Sequence, residues 1–204
     1  MKYLNIAGVL LLLVGAPVGS YFYMKSGFDY RMKAIEAQGD FGPMPDLTGL
    51  TKVSGDLPEE LRGNMVVVGW LDENEPETAM AYGNILDSLY VQFKDSPHLY
   101  FTTIAKASPD YLNDWVNKHN LPLDEMLSIV STDTEEFRNT AKEFNLPVEP
   151  GLEPMVALVD SSLTIRKYYD LSDREQTIGL VQLISLIIPL PEKGDIVLDP
   201  KKEY

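Results

Sequence analysis

The seven residues from Met65 to Leu71, MVVVGWL, form an unbroken apolar run of strand length. A strand with one solvated face alternates apolar and polar residues. A run with no polar member instead fits a strand buried on both faces. Such a strand belongs inside a largely parallel sheet covered by helices above and below. The next residues agree with that placement. An acidic loop, Asp72-Glu73-Asn74-Glu75-Pro76-Glu77, leads into a stretch where Ala79, Tyr82, Leu86, Leu89, Tyr90 and Phe93 recur at helical spacing. A helix is expected from Glu77 to Phe93. Pro76 suits its first turn, where the missing N–H is no loss, and Glu75 and Glu77 sit at the positive end of its dipole.

The same alternation continues along the chain. Leu99–Ile104 reads as a second strand, and Ser108 caps a helix with Pro109 just inside and Tyr111, Leu112, Trp115 and Val116 on its buried side. Met126–Val130 is a third strand. Thr132 or Asp133 caps a helix reaching Asn145, with Phe137, Ala141 and Phe144 inward. Met155–Val159 and Thr164–Tyr169 are strands joined at Asp160-Ser161-Ser162 as a hairpin, without the glycine such turns favour. Ser172-Asp173-Arg174-Glu175 has the form of a capping box. It opens a last helix with Ile178, Val181, Ile184 and Ile188 on its apolar side.

The N-terminus has a different character. Leu4–Met24 is an uncharged run, long enough for a bilayer, which takes about 20 residues. Tyr21, Phe22 and Tyr23 cluster at its end, as aromatics do at a membrane interface. Residues 1–24 are therefore expected to be a membrane anchor or a signal peptide. Residues 25–45 follow as a linker with a short helix at Asp29–Ala37, broken by Gly39, Gly42, Pro43 and Pro45. Residues 46–191 form one domain, and 192–204 a polar tail in which only Ile196, Val197 and Leu198 are apolar. Net charge is −14, which argues against nucleic acid and against adhesion to an anionic membrane surface. The chain of 204 residues contains no cysteine, so it can form no disulfide and offer no thiolate nucleophile or ligand.

The order strand-helix three times, then a hairpin and a helix, is that of an α/β thioredoxin-like fold: a central mixed sheet with helices on both faces, here preceded by a transmembrane helix. The sequence resembles the Sco/SenC family of membrane-anchored thioredoxin-like proteins. The resemblance rests on VVVGWL leading into the motif loop, LYFTTIA, SPDYLNDWV, EEFRNTAKEFNLPV and, most specifically, MVALVDSSLTIRKYYDL. That family helps assemble the copper centre of cytochrome c oxidase and binds copper through C-P-x-x-C and a distant histidine. If Pro76 takes the motif proline's place, Glu75 falls on the first cysteine and Ala79 on the second. The histidine's place is Leu152 or Glu153, and the family's Val-Asp-Pro aspartate is lost within Ala105–Pro109. The resemblance therefore implies the fold and a location on the non-cytoplasmic side of the cell membrane, without the family's copper site.

Other residues are weighed against this frame. Asp72, Glu73, Glu75 and Glu77, with Pro76, are a candidate contact loop for a protein partner, or a site for a hard cation, or a solvated helix cap. Pro154 is a candidate cis-proline facing the motif loop. His98 and His119 are expected at the surface or at helix ends, away from the motif. Met80 and Met155 are core filler, or a weak thioether pair for copper(I). Trp70, Tyr82, Tyr90, Tyr168 and Tyr169 are packing residues, with Tyr82 or Trp70 able to line a cleft for a peptide. The expectation is a non-enzymatic, single-pass membrane protein with no cofactor. It binds a protein partner, a respiratory complex subunit by the resemblance, and serves oxidase assembly. The alternative is a metal-binding or enzymatic protein acting through Asp72–Glu77, or a copper(I) carrier acting through methionines.

Overall fold

The computed structural model describes residues 11–36, 38–47, 49–54, 61–96, 98–122, 124 and 126–188. They divide into two units between Gln38 and Gly39.

The first unit is helical. A π-helical turn, Leu11–Gly15, leads into α1, Ala16–Glu36. Pro17 has no N–H to return to Leu13, and the turn ahead of it widens accordingly. The separate short helix expected at Asp29–Ala37 is not found, because α1 runs through Lys25, Ser26 and Gly27 without a break. One glycine costs a helix only about 1 kcal/mol, too little to end it here. Tyr21, Phe22, Tyr23, Met24, Phe28 and Tyr30 are all exposed. No described helix is long and apolar enough to cross a membrane, and Leu4–Leu10 of the expected span lie outside the described residues.

The second unit is one six-stranded sheet with helices on both faces. In chain order it comprises β1 Thr51–Ser54, β2 Met65–Asp72, α2 Pro76–Phe93, β3 Leu99–Lys106, α3 Pro109–Lys118, β4 Leu127–Ser131, α4 Thr134–Glu143, β5 Met155–Val159, β6 Ile165–Asp170 and α5 Arg174–Ile187. The strands lie in the order β1-β4-β3-β2-β5-β6. β2, β3 and β4 are parallel, while β1, β5 and β6 run antiparallel to their neighbours. β1 has no forerunner in the sequence pattern, being short and polar.

Every residue of β2 is buried, as its apolar run requires. Val66, Val68 and Trp70 face the side covered by α4, where they meet Phe137, Ala141 and Phe144. The Trp70 ring meets Phe144 edge-on at 5.1 Å. Gly69 faces the α2 side, and a Cβ there would fall 2.2 Å from the Tyr82 hydroxyl. Only glycine permits that approach. α3 and α4 end on Asn120 and Asn145 with φ of 51° and 52°, the left-handed conformation that closes a helix and that asparagine tolerates.

Several expectations need correction. Residues 39–44, expected within the linker, run along the outer edge of β6. Gly39 N donates to the Arg166 carbonyl (3.0 Å), Phe41 N to Ile165 (3.0 Å), and Ile165 N to Gly42 (2.9 Å). An uncovered edge strand leaves a row of unpaired backbone groups, and this segment satisfies them. The cap of α5 is Asp173, which accepts from Glu175 N at 2.8 Å, while Ser172 turns back to Asp170. Its buried residues are Leu180, Leu183 and Ile184, and Ile178 is exposed. That helix is apolar nearly all round, so periodicity alone could not choose its inner face. The hairpin lacks glycine because Asp160 organises it. The Asp160 carboxylate accepts from Ser162 N, Ser162 Oγ, Thr164 N and Arg166 Nε, and Leu163 takes φ 64°. Ile196–Leu198 lie outside the described residues.

Candidate functional site

The acidic loop leaves β2 at the sheet end where the parallel strands stop. Asp72 is buried, not solvated. Its carboxylate accepts from Asn74 N (3.0 Å) and Asn74 Nδ2 (2.9 Å) and pairs with the Lys106 ammonium. Lys106 is its register partner on β3, and its ammonium also lies 5.6 Å from the centre of the Phe137 ring. Glu73 reaches across to the start of α3, where its carboxylate accepts from Ser108 N (2.9 Å) and Ser108 Oγ (3.0 Å). Two of the four carboxylates are thus committed within the protein. Glu75 occupies the N-cap position of α2 without capping through its side chain, Pro76 takes the first helical turn, and Glu77 is exposed.

The positions that the resemblance places at the family's copper site, Glu75, Ala79, Leu152 and Glu153, lie around this loop. Ala79 N donates to the Glu75 carbonyl (2.9 Å), one turn inside α2. Thr78 Oγ1 donates to the Leu152 carbonyl (3.1 Å), which places the loop carrying Leu152 and Glu153 against the start of α2. Gly151, at φ +88°, sits so close to Asp72 that a Cβ would come within 2.7 Å of the Asp72 Cβ. Leu152 and Glu153 are exposed and Ala79 is buried. These four positions carry carboxylate, methyl and isobutyl side chains. Among the described residues no group of three or more His, Asp or Glu is arranged to hold a metal ion.

Pro154 is not cis. The described residues contain no cis peptide bond, and trans is the easier state before proline by about 0.5–1 kcal/mol. Pro154 is buried and its carbonyl accepts from Leu171 N at 3.0 Å. Met80 is exposed on α2, whereas Met155 is buried at the start of β5. Trp70 and Tyr82 are both fully buried, so neither lines a surface cleft. Tyr82 is held by a 2.8 Å hydrogen bond with Thr103. Tyr90 donates to Asp124 at 2.6 Å, and that bond pushes its phenol up to about 12. Tyr168 donates to the Phe144 carbonyl, and Tyr169 is buried.

The histidines separate. His98 stays half-buried before β3, its Nδ1 3.1 Å from Asn64 Oδ1. His119, expected at a helix end away from the motif, does end α3 but is buried against the motif helix. Its ring lies 5.3 Å from Trp115 and so close to Gly83 that a Cβ there would come within 2.5 Å. The missing side chain at Gly83 is what admits it. His119 Nε2 is buried with no hydrogen-bond partner. Burial, reinforced by neighbouring Lys118 and opposed by Asp87, holds the imidazole below its ordinary value. Trp115 itself donates from Nε1 to the Ala79 carbonyl (2.9 Å) and stacks on Tyr82 at 6.0 Å.

These contacts enclose a cavity of about 270 Å³ between α2 and α3. Pro76 and Met80 line it from α2, and Tyr111, Asp114, Trp115 and Lys118 from α3, with His119 beyond. The sequence reading did not find this site. The available signals were the Pro76/Met80 pair at i, i+4 and the Tyr111/Trp115/Lys118 face, both one helical stripe wide. A second groove, about 470 Å³, is lined by Asp46, Asp133, Glu135, Glu136 and Glu143. Three of those acids belong to the start of α4, where the helix dipole favours them and where Asp133 accepts from Glu135 N and Glu136 N.

The sheet order, the loop entering α2 at its parallel end and the closing hairpin and helix define a thioredoxin-like α/β protein. Solved structures agree. BsSco, a member of the Sco family of cytochrome c oxidase assembly proteins, superposes with a TM-score of 0.50 at 14% identity, over 71% of this chain and 95% of that one. A candidate thiol:disulfide interchange protein DsbE from Chlorobium tepidum gives 0.55 at 10% identity, over 73% and 98%. A candidate electron transfer protein from Aquifex aeolicus VF5 gives 0.56 at 10%, over 73% and 94%. No protein-family profile and no curated protein sequence matches the chain. At such identities the likeness establishes the fold alone, and this chain has no cysteine in the loop or elsewhere.

Proposed function

We propose that this chain is a membrane-tethered, Sco-like binding protein that performs no thiol or copper chemistry and acts as an accessory or structural component in cytochrome c oxidase assembly. The observation that carries the reading is the motif loop. Glu75 and Ala79 stand where the resemblance places paired thiols, and just ahead of them Asp72–Lys106 and Glu73–Ser108 close the loop by ionic and hydrogen-bonded contacts. A loop held in this way presents a fixed surface without a reactive atom. The exposed aromatic stretch of α1 and the uncharged run from Leu4 to Met24 support a single-pass anchor in the cell membrane, and the family resemblance alone puts the domain on the non-cytoplasmic side. A tether raises local concentration near membrane partners, so weak contacts suffice. The acidic-loop alternative loses support, because two of its four carboxylates are already engaged.

Crosslinking in native membranes, followed by purification in mild detergent, tests this reading. The expected product joins this chain to a subunit or assembly factor of the oxidase, and loss of the gene lowers the haem absorbance of assembled oxidase in membranes. A chain recovered alone under every condition, with oxidase content unchanged by its loss, overturns it.

A further inference from the structure

The cavity between α2 and α3 has largely apolar walls and adjoins the start of the helix that follows the acidic loop. Its most buried members, Trp115 and His119, form the floor, and Pro76, Met80 and Tyr111 form the sides. The floor is rigid. Trp115 is fixed by its bond to the Ala79 carbonyl and by stacking on Tyr82, which is itself bonded to Thr103. Met80 at the mouth is 44% exposed although its helix otherwise turns its apolar residues inward, with Val91 at the far end the exception. A thioether on a flexible stem adapts to whatever packs against it. At about 270 Å³ the space falls just below the range of pockets for drug-sized ligands, about 300–1,000 Å³, and suits a single large side chain.

The lining holds one acid, Asp114, and one cation, Lys118, while the charged residues next in sequence to Pro76 and Tyr111, namely Glu75, Glu77 and Asp110, are all acidic. An apolar hole with an acidic rim fits an apolar anchor with cations beside it.

We propose that this cavity is a docking pocket for one large apolar side chain, best an aromatic ring, on a partner segment that carries Lys or Arg next to it. The inference rests on the binding-protein reading above and names its contact site. The preorganised floor supplies the anchor's affinity, and the acidic rim sets the sign of its neighbours and hastens encounter.

Titration of the full chain in detergent micelles tests the proposal, with capped pentapeptides Lys-Lys-Phe-Lys-Lys, Lys-Lys-Ala-Lys-Lys and Glu-Glu-Phe-Glu-Glu as probes. None contains tryptophan, so the emission comes from Trp70 and Trp115, and a change on binding that is lost in a Trp115→Phe variant reports on the pocket. The basic phenylalanine peptide should bind saturably, the alanine peptide at least about tenfold more weakly, and the acidic peptide not at all. Met80→Glu separates anchor from charge, because it adds a negative charge while obstructing the mouth. It should weaken the phenylalanine peptide at least about tenfold, whereas attraction by charge alone would tighten it. Asp114→Lys should weaken the basic peptides and leave the fold's circular dichroism unchanged. Equal binding of the phenylalanine and alanine peptides, tighter binding to the Met80→Glu variant, or no saturable binding overturns the pocket. If the crosslinked membrane complex survives in Met80→Glu, the pocket assignment falls while the binding-protein reading stands. If no complex forms with the unaltered chain, that reading falls first.

Discussion

Trp115 on α3 donates its indole N–H to the main-chain carbonyl of Ala79 on α2, at 2.9 Å and out of contact with water. Ala79 is the residue that the resemblance places on the second motif cysteine. The motif helix is therefore held at that turn by its neighbouring helix, with no covalent link. Trp115→Phe removes the donor and part of the ring's bulk, while the Ala79 carbonyl keeps its place in the helical ladder. A loss of about 1–3 kcal/mol in urea unfolding is expected. An effect inside the range of ordinary surface substitutions, about 0.5 kcal/mol, would show that the bond does not hold the helices together.

Gly83 is a packing requirement as much as a helical residue. Gly83→Ala should gain about 1 kcal/mol from helix propensity. The new methyl, however, falls 2.5 Å from the His119 ring, and overpacking costs about 1–3 kcal/mol. The expected net is destabilisation. In a His119→Ala background the same change should turn stabilising. A double-mutant cycle from denaturant melts measures the sign reversal.

His119 gives the protein an acid sensitivity. In the unfolded chain its imidazole binds a proton near the ordinary value of about 6.5. In the folded chain burial, with Lys118 beside it, lowers that affinity. The unfolded state thus holds more protons in this window, so stability rises with pH. The contribution is complete above about pH 6.5 and is lost as pH falls toward the folded value. His119→Phe should flatten the slope of stability against pH below about 6.5. A slope unchanged by that substitution assigns the sensitivity elsewhere.

The Asp72–Lys106 pair closes the motif loop. Asp72→Ala removes the carboxylate that serves both Lys106 and Asn74 and should cost about 1–3 kcal/mol, because Lys106 keeps partial access to water. The double change Asp72→Asn with Lys106→Met leaves no unpaired charge and should cost less than the single one. Thermal melts of the three forms decide the order.

Much of this arrangement was legible in the residues. The apolar run of β2, the Ser108 and Asp133 caps, the Pro76 and Pro109 helix starts and the inward stripes of α2 and α4 are all short-range patterns, and each recurs in the fold. What escaped depends on partners distant along the chain. Asp72 looked like part of a solvated acidic loop because Lys106 joins it only through the β2–β3 register. His119 looked like a surface cap because the space that admits it is the absent side chain of Gly83, thirty-six positions earlier. Residues 39–44 looked like linker because their glycines and prolines disfavour regular structure, yet β6 supplies the backbone partners they lack.

From the chain's order of residues alone came the alternating α/β architecture and the absence of any sulfur chemistry by cysteine. Hydrophobic periodicity and side-chain type act over a few residues and survive without a third dimension. Only the tertiary structure decided that the acidic loop is closed by a lysine, that a histidine lies beneath the motif helix without a bonding partner, and that the two helices beside it leave an open apolar hollow. Those are consequences of which strands become neighbours and of how closely two helices approach. Both are settled when the whole sheet packs and cannot be settled by any one segment.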